Sequence, residues 1–151
     1  MQKDNGVASE DVNQANIRFY RAFENLSIES MDKIWKHDEN VVCIHPGWDL
    51  FTGWLAIRES WTTIFSNTET IRFTITNTKI KIFDNKIAVV VCIENIETKD
   101  PYSGRVIRTG VIATNAFERT EPNCEWSLIH HHGSPITNYI PPNILLTDDR
   151  S

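Results

Sequence analysis

The hydrophobic period of the chain changes at Asn67, and that change limits what the chain can fold into. Before it, apolar residues recur every three or four positions; after it, they alternate with polar ones. The first pattern belongs to helices with one buried face and the second to half-buried strands. Helices gathered in one half and strands in the other predict an α+β architecture rather than repeated βαβ units.

In the helical half, Val12, Ala15, Phe19, Ala22, Phe23 and Leu26 share one face of a helix expected from Ser9 to Leu26. Ser9 is the expected N-cap, with Glu10 and Asp11 suited to the first turn. A second helix is expected after Ser27, with Ile28, Met31, Ile34 and Trp35 on one side. Val41 to Ile44 reads as a short buried strand ended by His45-Pro46-Gly47, and Pro46 to Gly53 as a loop carrying Trp48 and Phe51. A third helix is expected from Gly53 to about Phe65, with Trp54, Ile57, Trp61, Ile64 and Phe65 as its stripe.

In the strand half, Ile71, Phe73 and Ile75 set one phase and Ile80 and Ile82 the other, which predicts a β-bulge near Asn77. Asp84-Asn85 signals a turn into Ile87 to Ile93, apolar on both faces and therefore central. Asp100 to Gly104 predicts a second turn, Arg105 to Arg119 a long strand, and Glu121-Pro122-Asn123 a turn into a last strand, Glu125 to His132. Such short connections require antiparallel neighbours. The expected result is a strongly bent antiparallel sheet wrapped on three helices, a cone with an apolar interior.

Composition narrows the class. The chain has 151 residues, suited to one domain, and a net charge of −5 with its basic residues scattered. That balance argues against nucleic acid or an anionic membrane as partner. No apolar run approaches the ~20 residues of a membrane-spanning helix. The start lacks the apolar core of a secretory signal, so a cytoplasmic location is expected. Cys43, Cys92 and Cys124, odd in number and far apart, read as reduced thiols, two of them in the core. Phosphate loops, CxxC pairs, HExxH and GxSxG are all missing, which makes nucleotide use and serine hydrolysis poor readings.

Several runs together resemble a known family. They are Phe19-Tyr20-Arg21-Ala22-Phe23, Val42 to Trp48, Thr52-Gly53-Trp54, Ile57 to Trp61, and the ending Trp126 to Pro135. These look like SnoaL-like, ketosteroid isomerase-like members of the nuclear transport factor 2 superfamily, over about residues 10 to 135. The resemblance implies a cone-shaped, cystatin-like roll, with residues 1–8 a flexible start, 9–135 the domain and 136–151 a C-terminal tail. It also implies a homodimer across the outer face of the sheet, which suits a strand apolar on both sides. One fold here hosts many activities, so function has to come from the site.

Carried over from the isomerases, Tyr20 is the candidate donor to a substrate oxyanion and Asn115 a second donor where they have a protonated aspartic acid. His45 stands before Pro46, where they have an aspartate base, and is suited by its ordinary pKa to move protons. Each has a plainer reading as well: Tyr20 as a core residue bonded to a neighbour, His45 as an orienting group, Asn115 as an outward-facing one. Trp48, Phe51, Trp54 and Trp61 would line a pocket or simply fill the core. Arg58 would clamp an anion at the cavity, or stack on an indole and pair with a surface carboxylate. His130 and His132 share one strand face about 7 Å apart, with His131 opposite. With His45 they could supply three imidazoles to a metal, but pocket lining or an interface is the preferred reading, and no metal or cofactor is expected. The tail, with Tyr139, Pro141-Pro142 and Ile144-Leu145-Leu146, is apolar enough to fold over the pocket mouth or a partner subunit.

Two function classes stay open on this reading. One is a homodimeric domain binding a small hydrophobic molecule, possessing if catalytic the cofactor-free chemistry of an isomerase, cyclase or dehydratase acting on a carbonyl compound. The alternative is a non-catalytic ligand-binding or oligomerisation module resembling the calcium/calmodulin-dependent kinase II association domain.

Overall fold

A computed structural model of the protein describes residues 2–143. Three helices precede four long strands: α1 (Gln2–Glu24), α2 (Ile28–Ile34) and α3 (Trp54–Ser66), with β1 (Val42–Ile44) and β2 (Leu50–Thr52) between α2 and α3. The long strands are β3 (Ile71–Phe83), β4 (Ile87–Lys99), β5 (Val106–Glu118) and β6 (Ser127–Pro135). They form one six-stranded sheet in the order β2-β1-β6-β5-β4-β3. The chain is therefore α+β, with the helices inside the curl of the sheet, as the change of period predicts. No helix among the described residues is long and apolar enough to cross a membrane.

Local chemistry explains most boundaries. Ser27 caps α2, its Oγ accepting from Ser30 N at 3.1 Å. Gly53 begins α3 at φ 89°, left-handed backbone that glycine adopts without steric penalty. Asp84 and Asn85 turn β3 into β4 with φ of 51° and 56°, and Asp and Asn tolerate that region better than most residues. The bulge expected near Asn77 is present: the β3–β4 register shifts between Thr76 and Lys79, and Asn77 has φ 56°. It lets Phe73 and Ile75 on one side of the bulge, and Ile80 and Ile82 on the other, all meet the same core.

Three local expectations are corrected. Ser9 does not cap α1, because the helix runs back to Gln2, and the buried Ala8 extends its apolar stripe. The Pro46–Gly53 loop contains a strand, β2, which pairs antiparallel with β1. The sheet is not wholly antiparallel either, since β1 lies parallel to β6, Val42 opposite His130 and Ile44 opposite His132. That parallel pair joins the helical half to the end of the sheet and so closes the cone. Cys43, Cys92 and Cys124 are all free thiols, the first two buried.

Alternation sorts the two faces of β4. Ala88, Val90, Cys92 and Glu94 point into the cone, while Val89, Val91, Ile93 and Asn95 point outward. Tyr139, beyond β6, lies on the outer side: its hydroxyl donates to Asn95 Oδ1 at 2.5 Å, and its ring covers Gly110, the residue opposite Asn95. A Cβ at Gly110 would stand 2.2 Å from that ring. The tail residues Ile144-Leu145-Leu146 lie outside the described residues. Gly110→Ala is expected to destabilise the protein by about 1–3 kcal/mol through overpacking. In a Tyr139→Ala background the same change should cost much less. A double-mutant cycle from urea denaturation measures this, and purely additive effects would contradict the contact.

Candidate functional site

A cavity of about 500 Å³ opens between the sheet, the C-terminal half of α3 and the turn after β1. Its wall includes Phe23 from α1, His45, Pro46 and Trp48 after β1, Thr63, Ile64, Asn67 and Thr68 at the end of α3, Glu94 and Ile96 from β4, Thr109 to Val111 from β5, and His131 from β6. Among the described residues neither lysine nor arginine is in that wall.

Glu94 is the group that sequence reasoning missed. It sits fully inside the fold at 2% exposure, and Tyr20 Oη donates to its Oε2 at 2.6 Å. Tyr20 is the only side chain among the described residues to bond it. Burial pushes the Glu94 carboxyl up to about 7, against a smaller opposing effect of the Tyr20 hydrogen bond. Burial first, then the Glu94 charge, holds the Tyr20 phenol well above its ordinary range, so it stays a donor.

Behind this pair runs a chain of hydrogen bonds. Asn115 Nδ2 donates to Tyr20 Oη at 3.1 Å and to Asn16 Oδ1 at 2.9 Å, and Asn16 Nδ2 lies 4.0 Å from Cys92 Sγ. With both amide protons engaged, Asn115 Oδ1 accepts, and His131 Nδ1 donates to it at 2.5 Å. His131 therefore carries its proton on Nδ1 and leaves Nε2 as a bare acceptor. Burial, then the nearby histidines, pushes His131 down to about 3, which keeps it neutral.

His45 resolves in the same way. Ser60 Oγ donates its single proton to the Ile57 carbonyl at 2.6 Å, so it can only accept from His45 Nε2, 2.8 Å away. The bare nitrogen of His45 is therefore Nδ1. Burial pushes this imidazole down to about 4. Its ring stands edge-on to Trp61, with centroids 4.6 Å apart, and 6.4 Å from the ring of His131. Trp61 is wholly buried, and its indole N–H meets no acceptor among the described residues.

The expected site residues thus fall into separate places. His45 and Trp48 line the cavity. Tyr20 and Asn115 lie behind its wall, and the donors that would bind an oxyanion are engaged with Glu94, Tyr20 and Asn16. Trp61 packs in the core beside His45. Trp54 is on another side of the domain, stacked at 5.0 Å on His37 and at 5.9 Å on Trp35. Arg58 is away from the cavity as well: it forms a two-point salt bridge with Asp32, at 2.7 and 3.2 Å, which ties α3 to α2. His130 and His132 do share a face, their rings 6.5 Å apart, but it is the outer one, and the inward histidine is His131. No cluster of three metal-ligating side chains occurs among the described residues.

Residues 12–138 match the SnoaL-like domain family. A structure named as a candidate dehydratase of the NTF2-like family, from Streptomyces avermitilis, is 32% identical, with a TM-score of 0.79 over 87% of this chain and 97% of that one. A structure named as a candidate calcium/calmodulin-dependent protein kinase type II association domain, from Thiobacillus denitrificans, is 27% identical, with a TM-score of 0.69 over 82% of this chain and 93% of that one. Among curated proteins, the F-box protein SKIP8 of Arabidopsis thaliana is 23% identical over 135 residues, which are 89% of this chain and 50% of that protein. The chain therefore spans half the length of that relative.

The Glu94 carboxyl gives the site a pH signature. Its folded pKa lies above the ordinary 4.5, so the fold prefers the neutral acid. The destabilisation is absent where folded and unfolded chains are both protonated, below about 4.5, and grows as pH rises through about 7. At full ionisation it reaches on the order of 3 kcal/mol. The histidines act in the opposite sense, since their lowered values make stability fall as pH drops from 6.5 toward 4. Glu94→Gln, which keeps the Tyr20 bond, should therefore gain stability relative to wild type as pH rises to about 8, by roughly that amount. Urea denaturation across this range measures it, and a difference that does not vary with pH would contradict the buried carboxyl. With its bent sheet, enclosed helices and matched length, the chain belongs to the SnoaL-like family of NTF2-like proteins and has the cystatin-like roll.

Proposed function

We propose that this protein binds a small, largely apolar organic molecule in the cavity lined by Glu94, His45 and His131, and moves a proton on it without a cofactor. The observation that carries this reading is a carboxyl poised near neutrality and two neutral imidazoles around one 500 Å³ space. A group whose pKa lies close to ambient pH is well placed for general acid–base chemistry. Glu94, which exists in both forms at neutral pH, is the group that takes and returns the proton, while His45 and His131 stay neutral and act as hydrogen-bond acceptors. The reaction classes that need no more than this are isomerisation, cyclisation or dehydration of a carbonyl compound. Tyr20 and Asn115 enter as positioning residues: they orient Glu94 and His131 from behind. The 32% identical neighbour named as a candidate dehydratase agrees with that class.

Trp48, 42% exposed at the mouth, is a built-in reporter. Titrating its fluorescence with enones, phenols and flat polycyclic compounds should give saturable changes in wild type, absent from Trp48→Phe and altered in Glu94→Gln. No saturable response to any of them would overturn the reading.

A second function rests on the outer face of the sheet. Val91 and Ile112 are 39% and 48% exposed there, beside half-buried Val89 and Ile93 and the pair His130 and His132. We infer that a second copy of the chain covers this face, so the domain also acts as an assembly module. The neighbour named as a kinase association domain supports this. Sedimentation of wild type should give a dimer and Ile112→Lys a folded monomer. A wild-type monomer at tens of micromolar would contradict it.

A further inference from the structure

The inner wall of the cavity has a one-sided hydrogen-bonding character. Both imidazoles that line it donate inward to the fold, His131 to Asn115 and His45 to Ser60, so neither has an N–H left for the cavity; His45 Nδ1 has Cys43 Sγ 3.8 Å away. Glu94 has its Oε2 occupied by Tyr20, while Oε1 has no partner among the described residues. The hydroxyls of Thr63 and Thr68, nearer the mouth, are engaged with the Glu59 and Ile64 carbonyls, and one amide proton of Asn67 with the Thr63 carbonyl. The Trp61 N–H is sealed from solvent. At this inner wall a group that only accepts hydrogen bonds would meet acceptors at the two imidazoles and at ionised Glu94, and an anion would meet that carboxylate with no lysine or arginine among the described wall residues to offset it. Two aromatic rings, Phe23 and Trp48, are also part of the wall.

We propose that the molecule this cavity takes carries an ammonium group, seated on the free Oε1 edge of Glu94 with its hydrocarbon part against Trp48 and Phe23, and that carboxylates are excluded. This rests on the reading of the cavity as the ligand site and adds the class of ligand. A buried carboxylate with no cationic neighbour is stabilised by a cation brought in by the ligand, and the aromatic faces add a cation–π attraction.

Binding is then linked to pH. The ionisable groups around Glu94 are Tyr20 from α1, Cys92 from its own strand, Cys43 from β1, His45 after β1 and His131 from β6; α3 and β5 contribute only the neutral Thr63, Asn67, Thr68, Thr109 and Asn115. Burial holds both thiols up and both imidazoles down, so all are uncharged near neutrality. Glu94 alone changes charge there, and an ammonium ligand should displace its proton.

The test uses the whole chain and three probes on one skeleton: 2-phenylethylamine, 2-phenylethanol and phenylacetate, titrated calorimetrically and by Trp fluorescence at about pH 8, where an ordinary carboxyl is ionised. The amine is expected to bind about tenfold or more tighter than the alcohol, and phenylacetate about tenfold or more weaker. Near pH 7, calorimetry in buffers of different ionisation enthalpy should show proton release with the amine and none with the alcohol. Glu94→Gln should lose the preference for the amine and keep the alcohol, and Glu94→Asp should recover part of it, which separates charge from folding. Alcohol binding with no preference for the amine, or phenylacetate bound as tightly, would overturn this proposal and leave the ligand site standing. Failure of all three to saturate would overturn both.

Discussion

A carboxyl group inside an apolar cone is the constraint around which the rest of this molecule is arranged. Among the described residues Glu94 accepts one side-chain hydrogen bond, from Tyr20, and shares its cavity wall with no lysine or arginine. An ionised acid so placed works against folding, and a leucine there would pack without that penalty. The fold keeps the carboxyl and surrounds it with a matched set: Tyr20 to hold it, Asn115 to hold Tyr20, His131 to fix the Asn115 amide. Each comes from a different element, α1, β4, β5 and β6, so the network forms only when the whole domain is assembled. Glu94 and His131 reach the cavity wall while Tyr20 and Asn115 stay behind it, an arrangement that suits the proposed ligand site.

The geometry of the sheet puts that set at a cavity. The bulge in β3 keeps both ends of a long strand facing the core. The parallel pairing of β1 with β6 brings His45, at the end of β1, to the same wall as His131. Ser60 on α3 then selects the tautomer of His45, as Asn115 does for His131. Glu94, His131, Tyr20, Asn115 and Ser60 are carried on regular elements, and His45 directly follows β1; such positions are held more firmly than those of loops.

The architecture was legible because it depends on hydrophobic period, and even the bulge near Asn77 shows as a phase change. β2 did not show: Leu50-Phe51-Thr52 is three residues long and has no period of its own, so only its pairing with β1 makes it a strand. Part of the site was legible too. His45 and Trp48 are at the cavity, but Tyr20 and Asn115 are behind it and Arg58 and Trp54 are elsewhere. Glu94 left a signal that could have been followed, since it continues the inward phase of Ala88, Val90 and Cys92; a lone acid at the end of an apolar strand reads as its polar edge instead. His131 was hidden by geometry. Counting in twos from buried Leu128 points His130 inward, yet the β5–β6 register shifts between Ala116 and Phe117, and the extra residue turns His131 in.

The central claim is that Glu94 is a carboxyl that gains and loses its proton near neutrality. A carbon-13 NMR titration of glutamate side-chain carboxyls, with the Glu94 signal assigned by its loss in Glu94→Gln, measures that directly. The account predicts a midpoint near 7 for this one resonance, apart from the other glutamates. A midpoint below about 5, in the ordinary range, would contradict it.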